Sequence, residues 1–182
     1  MDKKHQVVIS EAQLRQRIAE LGQQISRDYE GRVVHCVGVL ERGFIFLADL
    51  VRAIRCEVRC QFVKARTDVV YDQITEMTQI FYSSDIDVHG EHILLCEAIL
   101  ATGVTADFLI RHLQARGAAS VAVCSLLDRP SDRRIEIDMA YYGFRVGAQR
   151  LAGFGLSVGS SALLSNVPYI FAVPEAGAQS GH

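Results

Sequence analysis

No stretch of this 182-residue chain carries an apolar run near the ~20 residues that a membrane-spanning helix needs; runs such as Val33 to Leu40 are far shorter. The opening residues Met1-Asp2-Lys3-Lys4-His5 lead into a polar helix, so the apolar core of a signal peptide is missing. A basic excess is missing too. Nineteen Lys and Arg against 21 Asp and Glu leave a net charge near −2, which excludes a general nucleic-acid or membrane-surface binder. The five cysteines form an odd set with no C-x-x-C pair. Cys36, Cys96 and Cys124 lie inside apolar, strand-like runs, and Cys56 and Cys60 flank or sit in another, on one strand face. That usage reads as reduced, buried core thiols of a cytoplasmic protein, and excludes a disulfide framework or a zinc site. The six histidines share no metal-ligand spacing, and no internal repeat or low-complexity segment is present.

What is present is a chain of one domain's length, 49% hydrophobic and 22% charged. A single domain over 1–182 is expected, with its core at about 10–173 and a loose, small-residue tail over 174–182. Ser10 with Gln13 three residues on forms a capping box, and Leu14, Ile18, Leu21 and Ile25 then recur at helical spacing until Gly31. Val33–Leu40 reads as a central strand, Phe44–Ile54 as an amphipathic helix and Cys56–Val63 as the next strand. Residues 66–82 read as an excursion, a mobile hairpin arm. Strand His92–Glu97, helix Val104–Arg116 and strand Ser120–Leu127 follow, then short strands around Met139–Phe144, Leu151–Gly155 and Tyr169–Val173. Such alternation gives a parallel α/β sheet, whose ligands bind beyond the carboxyl ends of the strands. The loops after Leu40, Glu97 and Leu127 therefore converge on one cleft.

The chemistry concentrates in Ile93-Leu94-Leu95-Cys96-Glu97-Ala98-Ile99-Leu100-Ala101-Thr102-Gly103-Val104-Thr105. A buried strand runs through a short loop into a helix start, where Ala101, Thr102, Gly103, Val104 and Thr105 offer backbone N–H groups and hydroxyls to a phosphate. The same residues also suit a plain tight turn with Thr102 as N-cap.

This run resembles the phosphoribosyl-pyrophosphate signature of the type I phosphoribosyltransferases, which reads Glu-Asp, two apolar residues, then Asp-Thr-Gly-x-Thr. Three further segments resemble the hypoxanthine-guanine phosphoribosyltransferases: Val37-Gly38-Val39-Leu40-Glu41-Arg42-Gly43 with the helix behind it, Leu126-Leu127-Asp128-Arg129-Pro130, and Tyr142-Gly143-Phe144 with Gly153-Phe154-Gly155-Leu156 and Asn166-Val167-Pro168. The resemblance implies a central parallel sheet flanked by helices, with a small hood assigned to that last segment. It implies a homodimer or homotetramer formed through the first loop and helix, whose apolar residues Phe44, Ile45, Phe46, Leu47 and Leu50 would otherwise be an exposed patch.

Carried over position by position, the resemblance implies a first pyrophosphate loop at Leu40, Glu41, Arg42 and Gly43, with a cis peptide there. Glu41 stands where the family has lysine, and an acid repels an anion; Arg42 is either a compensating ligand or a surface charge. Glu97 keeps one ribose carboxylate, unless it is only a solvent-facing strand end. Ala98 and Ala101 replace the family aspartates, the second being the acid/base at the purine. The base pocket falls on Arg129, Arg150 and Leu151, which without the resemblance would read as surface arginines and a strand residue. Ser157 stands where an aspartate would face magnesium. The pair Arg133-Arg134 with Asp132 reads as a solvated turn.

The departures together suggest a homologue that has lost efficient catalysis. It would bind a purine nucleotide or another phosphate ligand, needing no cofactor to do so, as a regulatory or oligomer-partner protein. An active hypoxanthine/guanine phosphoribosyltransferase, using Glu97 and magnesium, is the alternative, and a structural subunit of an active paralogue is another.

Overall fold

The computed structural model describes residues 6–70, 75–82, 87–157 and 164–174. In chain order it runs β1 (Gln6–Ile9), α1 (Glu11–Asp28), β2 (Val34–Leu40), α2 (Phe44–Ala53), β3 (Val58–Val70), β4 (Thr75–Tyr82), β5 (His92–Leu100) and α3 (Val104–Ala115). Then come β6 (Ser120–Asp128), a 3-10 turn (Pro130–Asp132), β7 (Tyr141–Arg145), β8 (Leu151–Ala152) and β9 (Ile170–Ala172). The main sheet has the order β4-β3-β2-β5-β6-β7. Its five strands from β3 to β7 are parallel, and β4 adds an antiparallel edge.

Helices cover both faces, which is why the central strands read as near-continuous apolar runs. Cys36, Leu94, Cys96, Cys124 and Leu126 face α1 and α2, while Val37, Ile93, Leu95 and Val123 face α3. Helix α1 starts as its sequence requires: Gln13 N donates to Ser10 Oγ at 3.3 Å, and Ser10 N donates to Gln13 Oε1 at 2.9 Å. It buries Leu14, Ile18, Leu21 and Ile25, the four periodic positions. Arg17 of α1 donates to the carbonyls of Tyr142 (2.8 Å) and Gly143 (3.1 Å), and Tyr141 Oη donates to Asp28 Oδ2 at 2.8 Å. These bonds hold the β7 edge against the helix.

Several expectations need correction. Strand β1 was not anticipated; it pairs antiparallel with β9, which pairs with β8, making a separate three-stranded sheet that is the hood. Tyr142-Gly143-Phe144 belongs to β7 of the main sheet, because parallel pairing with β6 places Phe144 beside Leu127. The excursion at 66–82 is a hairpin that prolongs the sheet through β3 and β4; its turn, 71–74, and the tail from 175 lie outside the described residues. Cys36, Cys96 and Cys124 are fully buried on neighbouring strands, as expected, and all five cysteines are free. Cys60 is instead exposed, on a strand toward the sheet's edge, and Cys56 is half-buried, packed against the rim of the core. The apolar patch offered for assembly is largely the protein's own core: Phe46, Leu47 and Leu50 are buried, Ile45 packs against the core, and only Phe44 stands well exposed. The argument for an oligomer from that patch therefore falls away.

Candidate active site

Strand β5 runs three residues beyond its expected end, so Ala98, Ile99 and Leu100 join Glu97 within the strand and the loop begins at Ala101. The carboxyl ends of β2 and β5 then open a cleft of about 330 Å³, lined by Val39 to Gly43, Glu97 to Ile99 and Thr105. The expected first loop, the surviving acid and one cradle hydroxyl thus share a cavity. The peptide between Leu40 and Glu41 is cis, where the resemblance places one.

The cradle is built on backbone geometry. Gly103 adopts φ +82°, and a Cβ there would lie 2.3 Å from the Ile135 carbonyl oxygen, so only glycine fits. Gly103 itself, not Thr102, is the N-cap of α3, and no side-chain hydrogen bond closes the helix start. Thr102 is therefore not the cap that the plain-turn reading gave it; its Oγ1 accepts a long 3.4 Å contact from Val104 N. The first-turn N–H groups have no intrahelical partner and carry the positive end of the helix dipole. Thr102 O accepts from Arg134 N (2.9 Å) and Ile135 N (3.0 Å), which brings the loop after β6 onto the cradle. All three predicted loops meet here.

Glu97 is buried, 7% exposed, and its Oε1 has no hydrogen-bond partner among the described residues. Burial pushes its carboxyl up to about 7, and the Arg133 guanidinium pulls the other way. The reading of Glu97 as a solvent-facing strand end is thus wrong. The solvated-turn reading holds for Arg134, which is exposed, and fails for Arg133, whose side chain is 7% exposed and donates from Nη2 to buried Asp128 Oδ1 at 2.5 Å. Arg145 Nε holds the other Asp128 oxygen at 3.3 Å. A signal for Arg133 was available. It stands in phase with Ile135, Ile137 and Met139, the inward positions of an alternating segment.

The remaining candidates divide. Arg129 is mostly buried, donates from Nη2 to Gln149 O at 2.8 Å and lies 3.5 Å from Asp132, so it is no ordinary surface arginine. Leu151 is buried in β8, while Arg150 beside it is exposed. Arg42 is exposed yet lines the cleft. Glu41 is exposed as well, and Lys64 of β3 donates to its Oε1 at 2.6 Å, a partner that sequence spacing did not suggest. That hydrogen bond lowers the Glu41 carboxyl below its usual value. Ser157 is half-buried after the hood turn. The donors do not fit a resident magnesium ion. Among the described residues no group of three or more His, Cys, Asp or Glu is arranged to hold a metal, and Ser157 is a poor ligand for a hard dication.

Comparison with known proteins agrees with this geometry. The phosphoribosyl transferase domain family matches residues 10–157. The hypoxanthine phosphoribosyltransferase of Haemophilus influenzae is 35% identical over 159 residues, covering 85% of this chain and 89% of the relative. That of Escherichia coli is 32% identical over 167 residues, covering 91% and 93%. Among solved structures, a hypoxanthine phosphoribosyltransferase from Staphylococcus aureus superposes with a TM-score of 0.84 at 29% identity, covering 93% of this chain and 91% of that one. A hypoxanthine-guanine phosphoribosyltransferase from Bacillus anthracis gives 0.82 at 29%, covering 92% and 96%. These relatives are named as enzymes, so they lend no support to the expectation of lost catalysis. A signature kept in its framework across the β5–α3 turn, on a sheet of matching order, leaves one conclusion: the chain belongs to the hypoxanthine-guanine phosphoribosyltransferase family, with the type I phosphoribosyltransferase fold.

Proposed function

We propose that this protein transfers a phosphoribosyl group from phosphoribosyl pyrophosphate to hypoxanthine or guanine, forming IMP or GMP, with a slowed chemical step. The observation that carries this reading is the joining of the first loop, Glu97 and the uncapped start of α3 in one cleft. In the reaction the bond from the ribose anomeric carbon to pyrophosphate breaks, a bond to a purine nitrogen forms, and that nitrogen loses its proton. The N–H groups at Thr102–Thr105 suit the 5′-phosphate, and Glu97 suits the ribose. Alanine at 101 can neither accept nor donate the purine proton, which passes to water instead. General acid–base help is worth ~10²–10⁴ in rate. Set against a typical turnover of about 10 s⁻¹, its loss predicts roughly 10⁻³–10⁻¹ s⁻¹. A transfer assay with hypoxanthine or guanine, the donor and magnesium in the buffer checks this; no product above background refutes it.

A second reading, nucleotide binding without turnover, is favoured by the joint replacement at Ala98, Ala101 and Ser157. Its mark would be a GMP-dependent rise in melting temperature, magnesium present or absent, with no product formed. At ligand ~100 times Kd the stabilisation is about 2.7 kcal/mol, or roughly 5–11 °C for a chain of this size.

A further inference from the structure

The charged residues lining the cleft are Glu41, Arg42 and Glu97. Even with the buried Glu97 carboxyl holding its proton, exposed Glu41 offsets the single cation Arg42, the wrong balance for a cavity that is to admit a diphosphate. A further cation stands just outside the lining, on its Glu41 side. Lys64, from the adjacent strand at the register position of Leu40, extends its ammonium group to Glu41 Oε1 at 2.6 Å. Both side chains are exposed, at 48% and 77%, and an exposed pair of this kind contributes little stability of its own. It is therefore readily exchanged. A diphosphate offers more charge and more acceptor oxygens than one carboxylate, and a lysine ammonium on a flexible four-carbon stem can turn between the two.

We infer that Lys64 is a donor-binding residue, held by Glu41 in the empty cleft and released to the diphosphate when phosphoribosyl pyrophosphate enters. Glu41 then acts as the resting partner of that lysine, in place of a loop cation. This rests on the phosphoribosyl-transfer reading above. It also makes the first loop selective, since GMP, with its single 5′-phosphate at Thr102–Thr105, leaves the Lys64–Glu41 pair in place.

The test is calorimetric binding of inorganic pyrophosphate, phosphoribosyl pyrophosphate and GMP to the full chain and three variants. Lys64→Ala should weaken both diphosphates roughly 10-fold or more, the worth of one charge-assisted hydrogen bond, and leave GMP within about twofold. Glu41→Gln should tighten the diphosphates, because the competing carboxylate is gone. The double variant Glu41→Gln/Lys64→Ala decides between a ligand and a mere neutraliser of Glu41. If Lys64 binds the donor, the double variant stays weaker than Glu41→Gln by the same factor. If the lysine only cancels Glu41, the double variant matches Glu41→Gln, and the inference is overturned. Diphosphate binding that Lys64→Ala leaves unchanged overturns it too, with the transfer reading intact. A wild-type protein that binds neither diphosphate nor GMP overturns both.

Discussion

Glu97 offers a test in which stability and chemistry pull in opposite directions. Its carboxyl is buried against the cleft with one oxygen unpartnered, and its midpoint rises from the usual 4.5 to about 7. In the unfolded chain the same group gives up its proton near pH 4.5. Between those two values the folded state holds a proton that the unfolded state has released, so stability falls as pH rises through that window and is flat above it. The displacement corresponds to about 3 kcal/mol of destabilisation at pH 8. Glu97→Gln keeps the shape of the neutral acid and cannot ionise. At pH 5, just above the unfolded midpoint, it should exceed the wild type by only about 1 kcal/mol. At pH 8 it should be more stable by about 2–3 kcal/mol, a melting gain of roughly 4–12 °C. Melting curves of both proteins across pH 5 to pH 8 decide the matter. A difference that does not change with pH, or a Gln variant that melts lower at pH 8, would refute the burial argument. The same substitution should lower kcat/KM at least about tenfold if the acid faces the ribose, since a polar group kept against the fold's own stability marks a functional site.

Gly103→Ala should cost about 1–2 kcal/mol from left-handed strain alone, and more from displacing the Ile135 carbonyl. Urea unfolding would show the loss, and the GMP-induced melting shift should vanish with it. Arg133→Met leaves buried Asp128 with only the longer Arg145 contact and should destabilise by about 3 kcal/mol. It should also move the pH dependence ascribed to Glu97 upward, because an opposing positive charge has gone; a variant that loses stability with an unmoved pH profile would separate the two groups.

The parts of this protein legible in its sequence are those where local pattern and final contact coincide. The Ser10–Gln13 box, the spacing of Leu14, Ile18, Leu21 and Ile25, and the run into Gly103 all carry their structure in neighbouring residues. What was misread depends on distant partners. Gln6–Ile9 becomes a strand only because Ile170–Ala172 lies beside it. Tyr142–Phe144 joins the main sheet through Leu127 and Arg17. In the site, the types at Ala98, Ala101 and Ser157 could be read directly, whereas Arg133 against Asp128 and Lys64 against Glu41 required the fold. Phe46, Leu47 and Leu50 looked like interface because an apolar helix face does not say whether its cover is another chain or its own sheet.

The pairing of Gln6 with Ala172 has a consequence for how the protein is made. Every described strand of the main sheet lies between these two residues in the chain, so all of them are synthesised before the pairing that closes the small sheet becomes possible. Contacts of such long separation form late, after loop closure has been offset by other structure. A nascent chain arrested before Ile170 should thus hold the β5–α3 turn and its neighbouring strands but leave Gln6–Ile9 without its partner edge. The order of synthesis would then set the order of assembly, with β9 closing the small sheet on β1 after the main-sheet strands have formed.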